Sequence, residues 1–139
     1  MREAAVRAAK FYAVGGLGIA VQLVALYFFK PLLDPHYLWA TALAVEAAIV
    51  HNFIWHEFWT WSDRPSSGRE RAARLWRFHV SNGLLSLAGN VLLMRLLVGA
   101  FGLHYLLANT VAVASLAVAN FLLSELYVFR YLIRPPSNS

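Results

Sequence analysis

Apolar residues run in four long blocks, roughly Phe11 to Phe29, Tyr37 to Phe58, Phe78 to Gly99 and Leu103 to Leu126, divided by short stretches that carry most of the charge. Crossing about 30 Å of hydrocarbon takes a helix of about 20 apolar residues at roughly 1.5 Å each, and each block has that length. The pattern predicts an all-α integral membrane protein with four transmembrane helices. Proline and glycine stop the first and third blocks, at Lys30-Pro31 through Pro35 and at Gly99 through Gly102, so the helices pair as two hairpins. The first block follows Arg2, Arg7 and Lys10 and could be taken for a signal peptide, but it exceeds the usual apolar core of about 7 to 15 residues. It also has an uncleavable twin at Phe78 and is therefore expected to be retained.

The twin belongs to a larger duplication. Arg2-Glu3-x-Ala5-x-Arg7-x-x-Lys10-Phe11 returns 67 residues later as Arg69-Glu70-x-Ala72-x-Arg74-x-x-Arg77-Phe78. Further on the offset is 68: His36-Tyr37-Leu38-x-Ala40 becomes His104-Tyr105-Leu106-x-Ala108, and Asn52-Phe53-x-x-x-Glu57-x-Trp59-x-Trp61 becomes Asn120-Phe121-x-x-x-Glu125-x-Tyr127-x-Phe129. Blocks matched in the same order identify an internal repeat, residues 2–61 and 69–129 of one membrane domain over 1–139.

Composition supports the bilayer as solvent: 60% of the 139 residues are hydrophobic and 14% charged, more apolar surface than a small soluble domain can bury. The net charge of +5 is sorted by side. Arg2, Arg7 and Lys10 precede the first span, Arg64, Arg69, Arg71, Arg74 and Arg77 fill the middle connection, and Arg130 and Arg134 follow the fourth, while the opposite side has Lys30 and little else. The positive-inside rule places both termini and the connection at 62–77 in the cytoplasm. Each repeat holds an even number of spans, so the two hairpins are parallel, related by an axis along the membrane normal. The same distribution removes the need for a nucleic-acid partner. The sequence lacks cysteine, which excludes disulfides and thiolate metal sites. The tail at 131–139 reads as disordered.

Two groups of residues are candidates for function. Arg7 with Lys10, and Arg74 with Arg77, lie three apart on one helical face, and Glu3 and Glu70 stand four residues before Arg7 and Arg74. Such clusters fix topology, and they also attract anionic headgroups by about 1 kcal/mol per cation; Arg69 to Arg77 with Leu75 and Trp76 suits an interfacial basic helix. The second group is polar and lies within the spans, where each such residue needs a reason. From Tyr37, Glu46 is about 14 Å down, near the midplane, with His51 and Asn52 in the inner leaflet and Glu57 at the inner interface. Glu46 and Glu57, eleven apart, are expected on one face, and Asn52, His56 and Trp59 on another. Span four repeats Asn120 and Glu125 but has Ala114, Ala119 and Ser124 in place of Glu46, His51 and His56. Arg95, about 25 Å along span three, is placed to snorkel outward. Trp55, Trp59, Trp61, Tyr127 and Tyr131 suit an aromatic belt, and Gly15-Gly16-x-Gly18 suits close helix packing.

No Walker, HExxH or GxSxG motif is present, and His51 and His56 are spaced poorly for a shared metal. No enzyme activity, metal or cofactor is expected.

At this point the sequence resembles the GtrA family of four-helix bacterial membrane proteins. The resemblance rests on Phe11-x-x-Val14-Gly15 opening span one, Asn52-Phe53 followed by Trp59-Thr60-Trp61, Arg77-Phe78 opening span three, and Asn120-Phe121 with Phe129. Where that family often carries a basic residue after the Asn-Phe pair, this chain has His56-Glu57. The resemblance implies movement of a polyprenyl-phosphate-linked sugar across the bacterial cytoplasmic membrane for cell-surface polysaccharide synthesis. On that reading Arg7, Lys10, Arg74 and Arg77 take the lipid phosphate. The sugar then follows polar residues, Glu46, His51, Asn52, Glu57, Asn120 and Glu125, while the polyprenyl tail stays among membrane lipids. Four helices enclose a sugar thinly, so a homodimer is expected. A rival reading makes the chain an accessory subunit anchoring or orienting a membrane glycosyltransferase, and a lesser one a small proton-coupled exporter using Glu46.

Overall fold

The computed structural model describes residues 1–34 and 36–130, leaving aside the side chains of residues 37, 38, 105 and 106. Pro35, Tyr131, Arg134 and the tail at 131–139, named above for a turn, a belt, an inner charge and disorder, lie outside the described residues. Among the described residues all regular structure is helical, in two compact units, Met1–Ser62 and Asp63–Ser139.

In the first unit, α1 (Arg2–Leu32) runs unbroken through its apolar block with Pro31 inside its last turn, and the Leu33 N–H closes that turn onto Phe29 O at 3.0 Å. It pairs with α2 (Tyr37–Trp55), which continues into a π-helical turn, His56–Thr60. The contact face of α2 is a ladder at every fourth position: Ala40, Ala44 and Ala48 are buried, then come half-buried Asn52 and buried His56 and Thr60. α1 answers with buried Phe11, Val14 and Gly18. Small residues let the backbones approach, the usual basis of helix packing where lipid removes the hydrophobic drive. At Gly18 the approach is so close that an added Cβ would stand 2.6 Å from Asn52 Nδ2 and 2.8 Å from its Cγ.

The second unit begins with α3 (Gly68–Phe78), started by Ser67, whose Oγ accepts the Glu70 N–H at 3.3 Å. A serine followed three residues later by glutamate is a capping-box sequence, which explains a helix start immediately after Pro65 and two serines. α3 passes through a π turn, His79–Leu84, into α4 (Leu85–Met94) and a second π turn, Arg95–Ala100, giving one rod over Gly68–Ala100. Gly102, at φ 65°, makes the turn that a side chain would strain. The partner helix α5 (Tyr105–Leu123) ends in a π turn, Ser124–Val128. Its buried ladder is Ala108, Ala112, Leu116, Asn120, Ser124 and Val128, each 68 residues after a ladder position of α2.

This ladder locates the residue that changes the repeat offset from 67 to 68. Phe11 corresponds to Phe78 at 67, whereas Gly18, against Asn52, corresponds to Ser86, which meets Asn120 at 2.8 Å, at 68. The extra residue therefore lies between Phe78 and Ser86, where the π turn sits. A hydrogen bond to the fifth rather than fourth residue holds one more residue per turn without ending the helix.

Among the described residues three helical stretches are long and apolar enough to cross a membrane: Arg2–Leu32, Gly68–Ala100 and Leu107–Val128. They meet three of the four expected spans. α2 with its π turn is of similar length but carries Glu46, His51, Asn52, His56 and Glu57 and is not among the three.

Candidate functional site

The basic segment of each unit packs on the C-terminal end of that unit's second helix. In the first unit Lys10 Nζ lies 5.3 Å from the centre of the Trp59 ring and donates to Trp59 O at 3.3 Å. Beneath it Phe11 stacks on His56, with centroids 4.8 Å apart and planes 10° apart, and Trp61 meets both edge-on at 6.1 and 5.3 Å. His56 Nδ1 shares a 3.0 Å hydrogen bond with Thr60 Oγ1, so the imidazole is held inside an aromatic cluster. Glu57 is 6% exposed, and Arg7 is half-buried.

The second unit builds a denser version. Arg77 lies 5.8 Å from the Tyr127 ring, the position 68 after Trp59, and its Nη2 donates to Glu70 Oε1 at 2.6 Å and to Val128 O at 3.1 Å. Arg74 is 1% exposed; its Nη1 donates to Arg64 O at 2.9 Å, its Nε is 3.7 Å from Glu70 Oε1, and its guanidinium covers Phe129 at 5.6 Å. Arg64 Nη1 donates to Glu125 O and Phe129 O, both at 2.8 Å, and Nη2 pairs with the Glu125 carboxylate. The last carbonyls of a helix lack partners of their own, and here a guanidinium fork supplies them. Arg64 pairs with Glu125, and Arg74 and Arg77 share Glu70.

Toward the middle of each unit lies a polar seam. His51 Nδ1 and Asn52 Oδ1 are hydrogen-bonded at 3.1 Å beside Gly18. In the second unit Asn120 Nδ2 donates to Ser86 Oγ at 2.8 Å, and Asn82 Nδ2 to Ser124 Oγ at 3.5 Å. Asn120 is 9% exposed, and its Oδ1 is buried without a hydrogen-bond partner among the described residues. An unpaired buried polar group costs about 1–3 kcal/mol.

The residues singled out in the sequence fall into distinct places. Arg74, Arg77, Glu70 and Arg64 with Glu125 come together in the second unit, as do His51 and Asn52 in the first. Glu46 is exposed and off the ladder, since two residues from Ala44 and Ala48 puts it about 200° around α2. Glu46 is exposed and Glu57 buried, so the two differ in environment. Arg64, Ser86 and Asn82 were not singled out. Ser86 and Asn82 are polar residues inside an apolar block, a signal that could have found them; Arg64 sits in an aperiodic connection and gave none.

Comparison with known proteins adds two findings. The chain is 35% identical over 107 residues to a dolichol-phosphate mannosyltransferase of Pyrococcus furiosus, an alignment that takes in 77% of this chain and 29% of that protein. The chain thus spans less than a third of that relative's length. Residues 10–129 match the family model described as the GtrA/DPMS transmembrane domain, a stretch that includes both hairpins and both polar seams. On that match this multi-pass membrane chain belongs to the GtrA/DPMS transmembrane-domain family.

Proposed function

We propose that the chain handles a polyprenyl-phosphate-linked sugar in the bacterial cytoplasmic membrane and carries its headgroup across the bilayer. The observation that carries this reading is the pair of cations set on aromatic rings at equivalent ends of the two units, Lys10 on Trp59 and Arg77 on Tyr127. An ammonium has three donors, of which Trp59 O takes one, so Lys10 keeps capacity for a phosphate oxygen. Arg7 adds charge in the first unit and Arg77 in the second, while buried Arg74 acts by holding Arg64 and Glu70 in position. The seams at Asn52 and Asn120 offer amide groups of the kind that bind sugar hydroxyls. No residue set for ATP hydrolysis is visible, so movement follows the gradient of the lipid or another gradient.

The test is uptake of lipid-linked sugar into a protected lumen in proteoliposomes. Lys10→Gln with Arg77→Gln removes two headgroup cations at about 1 kcal/mol each and should slow uptake about tenfold or more. Unchanged uptake would remove the phosphate role. These residues are preferred to Arg74 for the test because Arg74 is buried in the fold of its unit.

One observation favours a second reading. The similar mannosyltransferase contains its matching stretch as 29% of a longer chain, which suits a membrane module that holds or orients a glycosyltransferase. That reading expects purified protein to move no lipid and to leave mild detergent extracts bound to a glycosyltransferase.

A further inference from the structure

Beside the buried ladder of α2, His51, Trp55 and Trp59 follow one another at every fourth position, over about 12 Å of helix. Their rings form a chain: the His51 and Trp55 centroids are 6.3 Å apart, and Trp55 and Trp59 meet edge to face at 5.8 Å. At one end Lys10 Nζ lies over Trp59; at the other His51 is bonded to Asn52 in the polar seam. All of these side chains belong to the first unit. Trp55 is 43% exposed, so an indole face in the middle of the stripe is open.

A cation, an open aromatic face and a hydrogen-bonding pair, in that order, match the successive parts of one ligand. The cation suits a phosphate. The face of an aromatic ring is negative and attracts the C–H groups on the flat side of a sugar. Sugar hydroxyls need donors and acceptors, which the second ring nitrogen of His51 and the Asn52 amide can supply. Aromatic surface with a few placed polar groups is the usual make-up of a small-molecule site.

The repeat offers a comparison within the same chain. At the offset of 68 the stripe positions hold Ala119, Leu123 and Tyr127. The second unit keeps a cation on an aromatic ring, Arg77 on Tyr127, but has neither an indole nor an imidazole leading from it toward Asn120. Rings that only anchor a helix sit at headgroup level. The stripe instead runs about two turns along the helix, and in one half alone.

We infer that this stripe recognises the sugar: the phosphate lies at Lys10, the sugar ring on the Trp55 face and its hydroxyls at His51 and Asn52, so that selectivity for the sugar resides in the first unit. The inference deepens the proposed function and rests on it for the class of ligand, not for transport.

The test is a competition for the purified full chain between bare polyprenyl phosphate and the same lipid carrying mannose, glucose or galactose, read by native mass spectrometry. At least one of the three sugar lipids should be preferred to the bare lipid by about fivefold or more, the scale of one aromatic contact. Trp55→Leu should abolish the preference and leave bare-lipid binding within about twofold, which also reports a folded chain. Trp55→Tyr should retain most of the preference, and Lys10→Gln should weaken both lipids alike. No preference for any of the three sugars overturns the inference, as does a preference that survives Trp55→Leu. Equal loss of both lipids in Trp55→Leu assigns the indole to anchoring and overturns it too. A preference that depends on Trp55 in protein that moves no lipid in proteoliposomes would keep the stripe and remove translocation; lipid movement without sugar preference would do the reverse.

Discussion

Arg74 and Arg77 share a helical face and a charge, but their surroundings give them different work. Arg74, 1% exposed, is committed to Arg64 O, Glu70 and the face of Phe129. Removing one member of a buried charge cluster leaves the others uncompensated, at about 3–5 kcal/mol. Arg74→Ala should therefore lower the stability of the protein by about 3 kcal/mol in detergent unfolding, and Arg77→Gln, where the side chain is 12% exposed, should cost less. At the seams, Gly18→Ala forces Asn52 aside and should destabilise, with Asn52→Ala recovering part of the loss in a double-mutant cycle. The equivalent loss at Ser86→Ala is one membrane hydrogen bond, about 0.6 kcal/mol. Asn52 and Asn120 were legible in the sequence because they are polar letters at matching places in apolar blocks. Arg64 was not, since its role depends on where a loop of no fixed period folds back.

The elements were legible where a chemical signal marks them. Pro31 marks the last turn of α1, Gly102 turns the second hairpin, and the apolar blocks give the helix lengths. The π turns were hidden, because a hydrogen bond to the fifth residue requires no residue type. His56–Thr60 and Ser124–Val128 close the two ladders in the same way, through Trp61 N to His56 O and Phe129 N to Ser124 O, both at 2.9 Å. The π turn at His79–Leu84 can be tested by shortening. Deleting Gly83 returns the rod to α-helical register, after which Phe78 and Ser86 cannot both keep their partners. Amide exchange across the segment should accelerate by about tenfold, since loss of tertiary partners lowers local stability; unchanged protection would mean the turn carries no register.

At the scale of the whole molecule, the charge distribution makes the most general prediction. Single cysteines at Ser66 and near Met1 should be shielded from an impermeant reagent applied outside the cell, and one at Phe101 should react, because the positive-inside rule assigns the first two to the cytoplasm. Family membership was legible from four short blocks of residues and agrees with the match over 10–129. Less legible was how unequally the halves have diverged: one end holds an imidazole among aromatic rings, the other a lattice of guanidinium groups. The added residue between Phe78 and Ser86 means that the halves have ceased to be interchangeable parts. Any alignment of one half on the other must slip a place inside the membrane, and a substitution harmless at Ser86 is no licence for the same change at Gly18. A gene built from two first halves would inherit the crowded glycine twice and the serine–asparagine link not at all.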